Sequence, residues 1–322
     1  MKHNFWHNKS VLITGFEGFL GSNLTRQLIN LGAKVIGLDI KVSRKDTILT
    51  KADYAKIKVI KGSVANYPLV QKIINQNKIN VVFHLAAQAI VGKCRDNALL
   101  NFSTNVEGTW KVLEACRHAH SIEAIIVASS DKAYGSHKTL PYTEKTPLVG
   151  RNPYDAAKSC ADLIAYSYYH TYGLPVAITR CGNIYGPGDF NFSRIVPDSI
   201  RCALTGQELL IRSNGKFTRD YVFVEDIVTG YIMLAEKLQK LNLKGEAFNF
   251  SDGNPLAVVP LVKIIFKIVG KKPRYKILNQ AKYEIEDQYL SSAKARKVLG
   301  WKPKRSLYDG LGATIIWQNN LR

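Results

Sequence analysis

The chain has 322 residues, 46% hydrophobic and 22% charged, enough for one large or two moderate domains around a sizeable core. Its apolar runs are too short to span a membrane, and no apolar stretch precedes the first predicted strand, so neither a membrane segment nor a signal peptide is expected. The net charge of +20 suits an anionic partner, but the lysines are dispersed, the densest cluster (271–274 with Lys276) is short, and no nucleic-acid motif accompanies it, so nucleic acid is not expected. In chain order, residues 11–14 read as a buried strand, followed by Gly15, Gly18 and Gly21 and then by helical spacing of Leu24, Leu28 and Leu31. A strand feeding a glycine-rich turn that opens a helix makes a pyrophosphate site. The first glycine permits the tight turn, the second lets backbone approach phosphate, and the third lets helix and strand pack closely. A second strand over 34–38 ends in Asp39, 18 positions past Gly21, where a ribose-binding carboxylate belongs.

Residues 41–56 read as a loop with a helical turn, 57–60 as a strand, 67–77 as a helix, and 80–86 as a strand apolar enough to be covered on both faces. A helix over 105–118 carries Val106, Val112, Leu113 and Cys116. A strand over 123–129, a helix over 154–172 and a strand over 175–179 follow. Strands alternating with helices predict right-handed βαβ units and an α/β fold, a doubly wound parallel sheet of Rossmann type. Beyond Arg180 the rhythm changes. Residues 183–192 read as a Gly/Pro turn region, 195–204 as a helix, 208–211 and 218–224 as strands, 226–238 as a helix, 247–250 as a strand and 256–269 as a helix. We therefore expect a dinucleotide-binding domain over 1–180, with 220–248 packing back onto it, and a smaller α+β portion over 181–322 draped on the sheet's carboxyl edge. Cys94, Cys116, Cys160, Cys181 and Cys202 are scattered without a Cys-x-x-Cys pair, which points to reduced thiols in a cytoplasm, with no metal site. Cys160 and Cys181 read as inert core thiols, His84 as packing at a strand end, and Asp226 as the cap of the helix after it.

Tyr154 and Lys158 share one face of the predicted 154–172 helix at i,i+4. An ammonium beside a phenol favours the phenolate, so the pair suits a general base on a hydroxyl. The run Ser129-Ser130-Asp131-Lys132 lies 22 to 25 residues upstream, at a strand's carboxyl end, where open α/β sheets place ligands. A hydroxyl, a carboxylate and an amine there are hard to explain as packing.

TGFEGFLG over 14–21, HLAA over 84–87, the Ser-Tyr-Lys set and RCGNIYGPGD over 180–189 together resemble the extended short-chain dehydrogenase/reductase enzymes that act on nucleotide sugars. The resemblance spans residues 11 to about 301. It implies NAD held by Gly15, Phe16, Glu17, Gly18, Phe19, Leu20, Asp39, Ser63, Val64, Leu85, Ala86, Ala87, Tyr154 and Lys158. It implies a nucleotide sugar held by Gln88, Asn183, Arg194, Ile195 and Arg219, in a homodimer whose long helices, from Asn105 and Tyr154, pair. The portion over 181–322 is then the nucleotide-sugar-binding part. The Ser130-Asp131-Lys132 run, with HLAAQ and RIVPD, resembles the CDP-glucose 4,6-dehydratases in particular. Gly62-Ser63-Val64 departs from the family's usual acid for adenine, and RDYVFVEDI over 219–227 is closer to the epimerase and general dehydratase pattern.

By that resemblance the catalytic residues are Ser130, Asp131, Lys132, Tyr154 and Lys158. Tyr154 takes the C4 hydroxyl proton as NAD oxidises C4, and Ser130 bonds the C4 oxygen. A base at Lys132 removes the C5 proton, protonated Asp131 releases the C6 hydroxyl as water, and C6 is then reduced. The alternatives are a nucleotide-sugar 4-epimerase, for which Ser-Tyr-Lys suffices, and a non-catalytic dinucleotide-binding sensor. Asp131 and Lys132 argue against the first, the full Ser-Tyr-Lys set against the second.

Overall fold

The computed structural model of the chain describes residues 5–281 and 284–321. Six strands form most of a seven-stranded sheet: β1 (Ser10–Thr14), β2 (Lys34–Asp39), β3 (Ile57–Lys61), β4 (Val81–His84), β5 (Ala124–Ala128) and β6 (Val176–Cys181). The Ala247–Phe250 strand borders β6, and the order across the sheet is Ala247–Phe250, β6, β5, β4, β1, β2, β3. Every pairing from β3 to β6 is parallel. The fold is thus the expected doubly wound one, and the order reverses at β1, which lies between β2 and β4. That reversal opens the crevice at the strands' carboxyl ends.

The central strand sequences are apolar because both faces are covered; Val11 to Thr14 and all of β4 are buried, whereas the edge strand β3 is largely exposed. One face is packed by Val70, Ile73 and Ile74 of the Tyr67–Gln76 helix, Val112, Leu113 and Cys116 of the Gly108–Arg117 helix, and Ala165 of the Pro153–Tyr172 helix. They meet Leu12, Ile36, Val82, Ile125 and Ile178 of the strands. The Gly108–Arg117 helix continues upstream through a π-helical turn, Ser103–Glu107, into Ala98–Phe102. The wide turn was not expected and sets which side chains the helix buries.

The described residues divide into two compact units, one drawn from Met1–Gly135, Thr146–Arg180 and Val228–Phe248, the other from Ser136–Lys145, Cys181–Ile227 and Asn249–Arg322. In the second, Tyr185, Val196, Ile200, Tyr221, Phe223, Leu261, Ile265 and Leu311 form the core between the Ile195–Thr205 and Val258–Val269 helices. Its strands are short. Asn183–Tyr185 pairs with Tyr221–Phe223, so the region read as a turn begins as a strand. The single strand expected over 218–224 is two, Thr218–Arg219 and Tyr221–Phe223, with different partners. The break falls at Asp220, whose Oδ2 accepts from the Leu290 amide at 3.2 Å and whose carbonyl accepts from the Asn183 amide at 3.1 Å. Asp226 does not cap the helix after it, because that helix starts at Val224. Its carboxylate instead accepts from the amides of Lys304 and Arg305, at 2.9 and 3.2 Å. Cys181 is buried as expected, but Cys160 is exposed.

Candidate active site

The glycine turn departs from β1. Gly15 has φ +70°, and its amide donates to the Leu38 carbonyl at 2.8 Å. A Cβ on Gly15 would come within 2.9 Å of the Ala86 backbone, and one on Gly21 would collide with the Gly15 carbonyl. Gly18 is the N-cap of the Phe19–Asn30 helix and supplies no side-chain cap. The first-turn amides of that helix therefore face the crevice without a built-in acceptor, which suits a diphosphate. Phe16 is buried against Gly37, where any side chain would strike its ring. Glu17 is buried too. Its carboxylate accepts from the amides of Ser43 at 2.7 Å and Arg44 at 2.8 Å, tying the glycine turn to the segment after β2. Asp39 ends β2, and burial raises its pKa above the ordinary value. Arg44, the cation near it, is engaged by Asp46 with Nε to Oδ1 at 2.9 Å. A cradle bared of side chains, a helix start and a carboxylate at the end of β2 fit a dinucleotide. Ser63 follows β3 and accepts from the Ala65 amide at 3.1 Å, and Val64 is buried.

Leu85 and Ala86 follow β4, and both amides donate to Thr14 Oγ1 at 3.1 Å. Thr14 bonds His84 Nδ1 at 2.9 Å, and His84 Nε2 bonds Thr109 Oγ1 at 3.1 Å. Thr109 spends its hydrogen on the Asn105 carbonyl at 2.7 Å, so Nε2 must carry the proton. Burial, with the Lys158 charge, pushes the His84 pKa down to about 3, so the ring stays neutral. His84 is at a strand end as expected, and there it joins β1, β4 and the Gly108–Arg117 helix.

After β5, Ser130 caps a 3-10 turn, Asp131–Tyr134, by accepting from the Lys132 amide at 3.2 Å. Its hydroxyl donates to Asp131 Oδ1 at 2.9 Å. Asp131, 3% exposed, pairs with the Lys132 ammonium at 3.5 Å. Tyr154 and Lys158 are both buried in the Pro153–Tyr172 helix, and Lys158 Nζ donates to the Ala128 carbonyl at 2.7 Å. Ser159 donates to the Ala133 carbonyl at 2.8 Å. The helix is thus fastened to the end of β5 and to the turn, bringing the Ser-Asp-Lys run and the Tyr-Lys pair into one unit. Arg180 adds a third tie, forking onto Asp162 at 2.7 Å through both nitrogens and donating to the Tyr134 hydroxyl at 2.8 Å.

Sequence reasoning missed Arg180, Asn101, Asn105, Thr109 and Asp155. Asn101, Asn105 and Thr109 recur every four residues among apolar neighbours, which marks a buried polar stripe. Asp155, beside Tyr154, is buried; burial raises its pKa, with Lys132 acting against that and Asp131 with it. Nothing in its local pattern marks it.

The other expected substrate contacts divide by unit. Gln88 lies in the sheet-bearing unit, its amide donating to Asn105 Oδ1 at 2.8 Å. Asn183, Arg194, Ile195 and Arg219 lie in the second. Arg194 precedes the Ile195–Thr205 helix and pairs with Asp189 at 3.3 Å. Arg219 donates to the carbonyls of Thr218 and Glu286 at 2.8 and 2.7 Å, and to that of Ile285. Much of its donor capacity is therefore spent on backbone.

Fold and site together define a dinucleotide-dependent enzyme of the extended short-chain dehydrogenase/reductase class, with NAD as cofactor. Residues 12–314 match the GDP-mannose 4,6 dehydratase family, and the chain belongs to it. It is 30% identical to the CDP-glucose 4,6-dehydratase of Salmonella typhimurium, over 98% of this chain and 91% of that one. Among solved structures it resembles dTDP-glucose 4,6-dehydratase from Bacillus anthracis in complex with NAD, with TM-score 0.86 and 28% identity over 97% of each chain. It resembles equally the UDP-glucose 4-epimerase of Thermotoga maritima with UDP-glucose, with TM-score 0.86 and 28% identity over 97% of this chain and 100% of that one.

Proposed function

We propose that the protein is an NAD-dependent nucleotide-sugar 4,6-dehydratase, converting an NDP-hexose of the CDP-glucose type to its 4-keto-6-deoxy derivative. The observation carrying this reading is the buried Asp131 paired with Lys132 on the turn fastened to the Tyr154 helix. Oxidation at C4 requires only Ser130, Tyr154 and Lys158, so an additional acid and amine call for a step that an epimerase lacks.

NAD would be held at the glycine turn and Asp39, and when bound it would supply hydride-transfer chemistry at C4 and C6. The phenolate of Tyr154 takes the C4 hydroxyl proton, with Ser130 bonding that oxygen. Lys158, anchored on the Ala128 carbonyl, supplies the positive charge that keeps Tyr154 ionisable. The new ketone acidifies C5. Lys132, as the free amine, removes the C5 proton while protonated Asp131 gives its proton to the departing C6 hydroxyl, which leaves as water. Moving one proton across the Asp131–Lys132 pair converts the ion pair into the acid and base this step needs. Lys132 then returns a proton to C5 as C6 is reduced. The cycle opens with one proton on Asp131 and closes with one on Tyr154, and passing it back resets the site.

Asp39 binds the ribose hydroxyls and disfavours a 2′-phosphate, and Arg44, held by Asp46, is not the phosphate's host. NAD therefore binds at least ten-fold tighter than NADP on this reading. A homodimer in a cytoplasmic setting belongs to the proposal. Leu99 and Phe102 near one long helix, Trp110 on it, and Leu163, Tyr166 and Tyr172 on the other are all exposed, as an unpaired helix face leaves them.

The test is mass spectrometry of products from CDP-glucose, UDP-glucose, dTDP-glucose and GDP-mannose in deuterium oxide. The reading predicts loss of one water and gain of solvent deuterium at C5. An isomer of unchanged mass without deuterium would establish the epimerase instead.

A further inference from the structure

A buried hydrogen-bonded chain runs through the sheet-bearing unit and takes no part in the chemistry above. Thr109 Oγ1 donates to the Asn105 carbonyl. Asn105 Oδ1 accepts from the Gln88 amide, and its Nδ2 donates to the Gln88 carbonyl at 3.1 Å and to Asn101 Oδ1 at 2.7 Å. Asn101 Nδ2 donates to the Pro153 carbonyl at 2.8 Å. Both asparagines are essentially inaccessible, at 0% and 1% exposure. Their amide orientations follow from the partners. The Gln88 N–H requires an oxygen from Asn105, which leaves Nδ2 for the Gln88 carbonyl and for Asn101, and turns the nitrogen of Asn101 toward Pro153.

The far end of this chain is where the Tyr154 helix needs an anchor. Pro153, its first residue, has no N–H. Asn152, its N-cap, makes no side-chain cap and instead donates to Asp155 Oδ2 at 3.2 Å. Asp155 holds the first turn from within, bonding both the side chain and the backbone of Asn152, and Asn101 holds it from outside, on the carbonyl next to Tyr154. An apolar side chain there would leave the Gln88 N–H and the Gln88 and Pro153 carbonyls without these partners, so two buried amides bonded into a chain have a use beyond filling space.

We infer that Asn101 is a positioning residue, which through Asn105 locks the Gln88 backbone to the first turn of the helix carrying Tyr154. The base and the substrate-side loop then hold one geometry. The catalytic part of this inference rests on the proposed roles of Tyr154 and Gln88. The mechanical part does not.

Two variants of the NAD-loaded protein test it. Asn101→Ala removes both links. Asn101→Asp keeps an oxygen for Asn105 and loses the donor to Pro153. Amide hydrogen exchange should quicken about ten-fold at Gln88 and Ala156 in Asn101→Ala, and at Ala156 alone in Asn101→Asp, with the β1, β4 and β5 amides unchanged. With a nucleotide sugar that the wild type turns over, single-turnover NADH formation should fall about 10- to 100-fold in both. KM should rise in Asn101→Ala and stay within about two-fold in Asn101→Asp, and the pH midpoint of NADH formation should move upward. Exchange within two-fold of wild type at Gln88 and Ala156 overturns the inference. Faster exchange spread evenly over the sheet, with an unmoved pH midpoint, also overturns it, since that is loss of stability alone. Local exchange changes in a protein that forms no NADH with any nucleotide sugar would instead reject the catalytic reading and leave the mechanical link standing.

Discussion

The buried acids beside the Tyr154 helix and those of the second unit's short strands are put to different uses, although Glu17, which takes two amides, shows that the sheet-bearing unit holds both kinds. In the sheet-bearing unit, long parallel ladders satisfy the backbone, and Asp131 and Asp155 are buried among ionisable groups. In the second unit the strands run two or three residues, and side chains replace the missing ladder. Asp226 accepts from two amides, Asp220 from the Leu290 amide, and the half-buried Glu144 from the Asn249 amide at 2.8 Å. Ser292 accepts from the Ser251 amide at 2.8 Å and donates to its carbonyl at 2.9 Å. Burial of an acid thus indicates function only where the backbone around it is already satisfied. Where the backbone is not, the acid is a fastener.

The sharpest way to break this contrast is to neutralise one acid of each kind. Asp131→Asn should cut product formation about 100- to 10,000-fold, the range for losing a general acid, while NADH still forms with substrate and urea unfolding shifts by less than about 1 kcal/mol. Unimpaired water loss would remove Asp131 from the chemistry. Asp226→Ala should do the reverse. It strands two amides and should cost about 3 kcal/mol in urea unfolding, with the rate per folded molecule within about two-fold of wild type; a cost under about 1 kcal/mol would show that water replaces the carboxylate.

Acid titration probes the first unit through His84. The folded pKa of His84 is depressed from 6.5 to about 3, so the unfolded chain binds the extra proton between those values. The stability His84 contributes is full above pH 6.5 and is lost as pH falls toward 3, by about 1.4 kcal/mol per unit in that window. His84→Gln should flatten the wild-type slope of stability against pH there, and parallel slopes would disprove the assignment. The smallest effect is expected at Thr50, where the same carboxylate-to-amide motif occurs on the surface. Thr50 accepts from the Asp53 amide at 3.2 Å and Asp53 from the Thr50 amide at 2.8 Å. Thr50→Ala should cost about 1 kcal/mol or less in urea unfolding; a loss near that of Asp226→Ala would dissolve the distinction between buried and exposed fasteners.

The same contrast explains what could be read from the chain. The sheet was legible because most of its strands are continuous apolar runs and its helices periodic ones, and because the glycine spacing is dictated by close approach of backbone. Asp131, Lys132, Tyr154 and Lys158 were legible as residue types at fixed spacing near a strand end. The split strand at Asp220 and the role of Asp226 were not, since each depends on an amide 70 or more positions away. Cys160 was misread because a cysteine's burial follows from which helix face it occupies. Asn105 was read as a helix start because a wide turn leaves no mark in apolar periodicity.

That wide turn has a consequence for how the gene can change. A π-helical turn holds one residue more than the α-helical turn it replaces, so Ser103–Glu107 sets a phase between everything before it and everything after. Relaxing the segment to the ordinary α pitch at its present length would rotate the upstream part by about 100°. Asn101 would then swing away from Pro153 while every apolar contact downstream kept its place. Losing a single codon within the wide turn has the opposite effect: the helix relaxes to its ordinary pitch with its two halves still in phase. Substitutions can explore this segment at exposed positions such as Leu99, and the wide turn is the one place in it where a residue can be lost without misindexing the halves.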